Sequence, residues 1–165
     1  MISRPNDFDT ASNRIDNRVP MECSFALVAD AANQEASGKL NVLGVFDRLT
    51  PDKFPYLHPQ MFLIASFRAS PAEFGRKKDF EISFLDPDAR VLTSVKGSAI
   101  VPKPDAGMKA TLQIVLQMVN TPFPKPGPYE ISVFVGGDQK ASVPLEAIAR
   151  KVPKRRGNGR RKQNK

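Results

Sequence analysis

KDFEISFLDPDAR, residues 78–90, reads as a strand running into a turn. Phe80, Ile82 and Phe84 fall on one side of an extended chain and Glu81 and Ser83 on the other, the alternation of a half-buried strand. Asp86-Pro87-Asp88-Ala89 suits a type I turn, with a side-chain acceptor first and a fixed φ second. Position 89 is where a left-handed residue is often needed, and glycine would be commoner there. Residues 90–101 then return as the partner strand. A hairpin so clearly marked sets the fold class, and the remaining segments can be read against it.

Upstream, 61–69 (MFLIASFRA) is apolar on both faces for part of its length, as a central strand would be. Residues 23–31 are an apolar run, and after the turn signal Ser37-Gly38 the segment 39–48 (KLNVLGVFDR) pairs back as a hairpin. Leu49 to Pro59 holds three prolines and reads as a connection. Downstream, 108–119 (MKATLQIVLQMV) fits two periods. As a strand, Leu112, Ile114, Leu116 and Met118 alternate with Thr111, Gln113 and Gln117; as a helix, Leu112, Val115, Leu116 and Val119 share a face. The strand is preferred, because two glutamines alternate with apolar residues and no cap precedes the run.

Pro122, Pro124, Pro126 and Pro128 mark an extended polyproline connection. Tyr129, Ile131, Val133 and Val135 then alternate with Glu130 and Ser132. Gly136-Gly137-Asp138 turns the chain into a last strand at 139–149, with Pro144 placing it at an edge. The expected fold is all-β, an antiparallel two-layer β-sandwich of about eight strands with Greek-key-like connections. The Pro-rich crossings at 49–59 and 120–128 favour it over a meander.

The positive charge is concentrated at one end. Arg150 to Lys165, RKVPKRRGNGRRKQNK, holds nine Lys/Arg and no acid. The chain has 25 Lys+Arg and 17 Asp+Glu, so the rest carries 16 basic and 17 acidic residues, a net charge of −1. The expected organisation is a disordered leader at 1–20, a sandwich domain at 21–149 and a basic disordered tail at 150–165. Met21 as the translation start and a short flexible leader are both open readings of the N-terminal segment. The tail suits polyanions, chiefly RNA or DNA. Arg150, Lys151, Lys154, Arg155, Arg156, Arg160, Arg161, Lys162 and Lys165 are the candidate nucleic-acid-binding residues. They would neutralise phosphates without reading sequence. Gly157-Asn158-Gly159 divides them into two clusters. A membrane-surface arm and a merely solubilising end are the other readings, the first lacking an apolar anchor.

No catalytic constellation appears, and no enzyme activity, metal or cofactor is expected. One cysteine, Cys23, and one histidine, His58, exclude an internal disulfide, Cys-based zinc sites and multi-His metal sites. His58 in PYLHPQ reads as a loop histidine, and Cys23 as a small core residue. Asp79, Asp86 and Asp88 are too few for calcium and are explained by turn chemistry. Asp30 and Asp47 flank the first hairpin at strand ends. Arg76, Lys77 and Lys78 read as a solvated loop that could extend a phosphate-tracking surface. No apolar stretch approaches the roughly 20 residues of a membrane helix, so no stable membrane insertion is expected. The first twenty residues have no apolar signal core, and the cytoplasm follows by default.

FALVADAA (25–32) with GKLNVLGVFD (38–47), the DPDA hairpin (86–89) and PGPYEISVFVGG (126–137) together resemble a family of small bacterial proteins classed as a domain of unknown function. Its members open with a Leu-x-Ala-Asp-Ala strand and a Gly-Lys-Leu hairpin and close with Pro-Gly-x-Tyr. The resemblance covers about 21–149 and implies an all-β fold and a start near Met21. It carries no activity or site residue. Two functions follow as expectations. One is a non-enzymatic binding or adaptor module that engages a protein through the sandwich and adds non-specific nucleic-acid affinity through its tail. The alternative is a structural or assembly protein that oligomerises through sheet edges or an apolar face formed by Leu43, Val45, Leu63, Phe67 and Leu85.

Overall fold

The computed structural model describes residues 21–105 and 109–150. These residues form a β-sandwich of nine strands in two sheets, antiparallel except for the parallel pairing of the short third strand with the ninth. In chain order these are β1 (Glu22–Gln34), β2 (Leu40–Phe46), β3 (Arg48–Leu49), β4 (Tyr56–Ala69), β5 (Lys77–Leu85), β6 (Val91–Ile100), β7 (Ala110–Phe123), β8 (Gly127–Val135) and β9 (Asp138–Ala147). One sheet runs β2-β1-β4-β7 and the other β3-β9-β8-β5-β6. The chain changes sheets on entering and on leaving β3, between β4 and β5, between β6 and β7 and between β7 and β8, so β8 returns to lie beside β5 after β6 and β7 have intervened. The expected leader (1–20) and Lys151–Lys165 of the tail lie outside the described residues.

The opening hairpin forms as its turn residues dictate. Ala89 N–H donates to Asp86 C=O (2.9 Å), and Asp86 Oδ1 accepts from the N–H groups of Asp88 (2.8 Å) and Arg90 (2.9 Å). Ala89 takes the left-handed conformation at φ 59°. At the last hairpin Gly136 (φ 63°) and Gly137 (φ 88°) make a two-residue turn with both φ values positive, a geometry that needs no Cβ. Val28, Leu63, Phe67, Ile82, Phe84, Leu112, Ile131, Val133 and Leu145 fill the space between the sheets.

Residues 108–119 were open to two periods, and β7 is a strand, with Leu112 and Ile114 buried and Thr111 and Gln117 exposed. Both proline-marked connections are shorter than expected. The 49–59 connection contracts to 50–55, because Leu49 pairs with Ala147 in β3 and β4 already begins at Tyr56. The 120–128 connection contracts to three residues, 124–126: Pro122 is paired with Leu57 inside β7, and Pro128 with Glu146 inside β8. Prolines are tolerated here because β7 ends its sheet and needs no donor on its free side, and because β5 pairs with β8 only from Glu130 onward, which leaves Pro128 with β9 alone.

Two further corrections concern facing. Leu63 and Phe67 point inward and are fully buried, so they belong to the core and not to a second apolar face. Asp30 lies inside β1 rather than at a strand end, because that strand runs on to Gln34. A Cβ on Gly44 would run into its carboxylate, so the glycine at this place makes room for Asp30.

β1 parts from β4 after the Ala29–Phe62 pair. Beyond it, Gln34 Nε2 donates to Gln113 Oε1 (2.5 Å) on β7, which is separated from β1 by β4 in the sheet. Gln113 faces outward, between the core residues Leu112 and Ile114. The distal half of the β1–β2 hairpin therefore bends across the outward side of β4. That cover accounts for the burial of outward-facing Ile64 and Ser66.

Candidate interaction surfaces

Of the nine tail residues singled out in the sequence, Arg150 is described. Its N–H donates to Pro51 C=O (3.3 Å), and its guanidinium pairs with Asp52 (3.0 Å), so the arm leaves the body beside the 50–55 connection. Lys151, Lys154, Arg155, Arg156, Arg160, Arg161, Lys162 and Lys165 lie outside the described residues. Some of the body's own cations are paired: Arg48 with Glu146 (3.1 Å), Lys96 with Glu81 (3.2 Å), Lys125 with Asp88 (2.5 Å) and Lys140 with Asp138 (3.3 Å). The second basic cluster is divided. Arg76 and Lys77 are exposed, but Lys78 lies in β5 and pairs with Glu73 (3.0 Å). Burial alone would raise the Glu73 pKa; the hydrogen bonds from Ser70 and Lys78 outweigh it and hold the carboxyl below its ordinary value.

The loop aspartates are occupied by local structure. Asp86 closes its turn, and Lys125 holds Asp88 below the ordinary carboxylate range. Among the described residues no group of three or more His, Cys, Asp or Glu is placed to hold a metal. Burial pushes the half-buried Cys23 thiol up, away from a reactive thiolate. No helix among the described residues is long and apolar enough to cross a membrane.

His58 is not a loop residue. It lies in β4 opposite Thr121, because Pro59 and Asn120 (φ 50°) interrupt the β4–β7 register and switch the facing of both strands. Its ring therefore turns inward among Phe46 (5.8 Å between centroids), Tyr56 (5.9 Å) and Phe123 (6.5 Å). Nδ1 is 3.2 Å from the Tyr56 hydroxyl, and Nε2 is buried with no hydrogen-bond partner among the described residues. Sequence reading missed this because two flanking prolines signalled a loop; the aromatic residues at 54, 56 and 123 were the available signal.

Burial lowers the His58 pKa below 6.5, outweighing the opposite effects of a backbone contact from Gln60 and the charge of Asp30. The folded chain then binds fewer protons than the unfolded chain just below pH 6.5. The associated stability is full above the unfolded value and is lost as pH falls through it toward the lower folded value. Because the chain has one histidine, urea midpoints measured between pH 7 and about 5 should fall with pH in the wild type and stay nearly flat in His58→Phe. An equal slope in both proteins would contradict this assignment.

The outward faces of the two sheets differ. On the five-stranded sheet polar outward residues bond to one another, Ser94 to Glu81 (3.0 Å), Ser132 to Glu130 (2.6 Å) and Gln139 to Ser132 (3.3 Å), and the exposed apolar residues Val91, Val95 and Ile100 lie on its end strand β6. The four-stranded sheet and its bent hairpin expose Phe25, Leu43, Val45, Leu57 and Val119. Leu43 is 72% exposed and Val45 60%, both on β2, which ends its sheet.

The sequence matches, over residues 24–148, a family described as a family of unknown function, DUF6941. No curated protein matches. Among solved structures, 78% of the chain overlays 30% of the Pseudomonas fluorescens alkylpurine DNA glycosylase AlkC, solved with DNA containing an abasic site analog, at 13% identity and TM-score 0.42. A Listeria innocua beta-glucosidase is similar over 81% of this chain and 17% of its own length, at 7% identity and TM-score 0.44. An immunoglobulin-like protein from Pseudomonas aeruginosa is similar over 77% of this chain and 95% of its own, at 14% identity and TM-score 0.40. The chain thus spans under a third of the glycosylase and the glucosidase it resembles.

Proposed function

The chain belongs to DUF6941, a family of unknown function, and from that premise we propose that it is a non-enzymatic binding module whose basic C-terminal arm supplies non-specific affinity for nucleic acid. The observation that carries the reading is the segregation of charge. Nine cations and no acid lie in 150–165, while the rest of the chain balances 16 basic against 17 acidic residues and pairs several of its cations with neighbouring carboxylates. Matched surface charges project little field, whereas an unmatched run attracts a polyanion and releases its counterions. The arm has no aromatic residue on which a base could stack, so its contacts are to phosphate, with arginine available for bidentate bonds. The sandwich is the part that engages a protein partner, and the arm holds it near the polyanion.

The test is a salt titration of binding to short duplex DNA and to single-stranded RNA, with the full chain and with a version ending at Ala149. The logarithm of affinity should fall linearly with the logarithm of salt for the full chain, by about 0.7 to 0.9 per phosphate contacted. The truncated version should have a much shallower slope. Equal weak binding by both at physiological salt would refute the reading.

A further inference from the structure

We propose that two copies of this chain pair through β2, antiparallel and centred on Leu43, joining their four-stranded sheets into one. β2 ends its sheet, and its sequence LNVLGVF has no charge and no proline, the usual protections of an edge. Two independent features select a second copy as the occupant.

The first is hydrogen-bond phase. Glu35 N–H donates to Lys39 C=O (2.9 Å) at the hairpin turn. From there the alternation of an antiparallel ladder turns the peptide groups of Asn41, Leu43 and Val45 toward β1. Those of Leu40, Val42 and Phe46 are turned to the free edge, while Gly44, at φ 69°, departs from the extended conformation. In a twofold pairing centred on Leu43, Leu40 faces Phe46 and Val42 faces Gly44. Leu40, Val42 and Phe46 are thus residues whose bonding groups point outward. Leu43 meets its own copy as a close, non-bonded pair, and Val45 meets Asn41, so the two most exposed apolar side chains of the strand gain neighbours.

The second is charge complementarity. Lys39 and Asp47 are exposed and lie four residues on either side of Leu43. The same pairing sets Lys39 of one copy opposite Asp47 of the other, twice, by symmetry. Opposite charges directly across strands are favourable and like charges are not. β7 also ends its sheet, but Pro122 removes a donor from it, and β6 carries the charge of Lys96 in mid-strand.

Light scattering with the full chain at about 100 µM and physiological salt, without nucleic acid, should give twice the 18.2 kDa chain mass. Val42→Pro removes an outward N–H that the fold itself does not use, and should yield a monomer with an unchanged melting midpoint. Lys39→Asp should raise the dimer dissociation constant by roughly tenfold, and Lys39→Asp with Asp47→Lys should restore it. The charge variants alter exposed side chains only, so they decide the matter even if Val42→Pro fails to fold. A monomeric wild type would overturn the proposal. So would a dimer indifferent to Lys39→Asp and its rescue.

Discussion

Phe123→Ala is expected to lower the free energy of unfolding by about 3–5 kcal/mol, a large part of what holds a domain of this size together. The ring is fully buried at the end of β7, where it meets Tyr129 (4.8 Å between centroids), Phe84 (5.3 Å), Tyr56 (6.4 Å) and His58 (6.5 Å). It is the centre of an aromatic cluster joining the two sheets, with Phe84 stacked on Tyr129 at 5.5 Å. Removing it strips contacts from four rings held by three strands of two sheets, which cannot collapse together into the space. Tyr129 adds a fixed point, since its hydroxyl donates to Lys125 C=O (2.6 Å). Val119 supplies the control. It lies on the same strand but faces outward at 60% exposure, and Val119→Ala should change stability by within about 0.5 kcal/mol. Urea unfolding of the two variants checks the contrast, and a loss below about 1 kcal/mol for Phe123→Ala would show that the cluster is not the keystone argued for here.

That contrast also locates what the sequence could and could not disclose. Alternation at 80–84 and 129–135, the DPDA turn and the Gly-Gly turn were legible because each is a local pattern with a local cause. An unbroken period of two from Leu112 would have placed Phe123 outside, with Val119. The interruption at Pro59 and Asn120 reverses the facing of both strands, and nothing in either residue alone announces it. His58 was misread because the prolines on either side of it signalled a loop. Leu63 and Phe67 were assigned to a second face because 61–69 is apolar on both faces for part of its length, and periodicity cannot choose a side when both sides are apolar. Ile64 is buried as well, under the bent hairpin, so the apolar run reports real cover on two sides. The basic arm was plain in composition. The β2 edge was not, because its freedom is a property of strand order, and strand order is set by contacts distant in sequence.

Pairing through β2 would place two arms on one particle, and on a long duplex the full chain is then expected to bind at least tenfold, and up to about a hundredfold, more tightly than Val42→Pro. In the Leu43-centred pairing, the two copies of Arg48 are ten residues apart along the joined edge, roughly 34 Å at the rise of a strand. Arg150 sits beside β3 and the following connection, so the arms leave near those two points. That spacing is close to one turn of duplex DNA, and fifteen residues beyond Arg150 can span up to about 50 Å when extended. Both arms can therefore reach one duplex of about 30 base pairs, and the second engagement becomes intramolecular. An oligonucleotide of about eight nucleotides accommodates one arm, and there the two proteins should bind alike, because the arm itself is unaltered. Fluorescence anisotropy on both ligands at one salt concentration, with protein above the dimer dissociation constant, separates the cases. Equal affinity on the long duplex would mean that the arms act singly. A deficit on both ligands would mean that Val42→Pro damages the arm's seat on the body rather than the pairing of bodies.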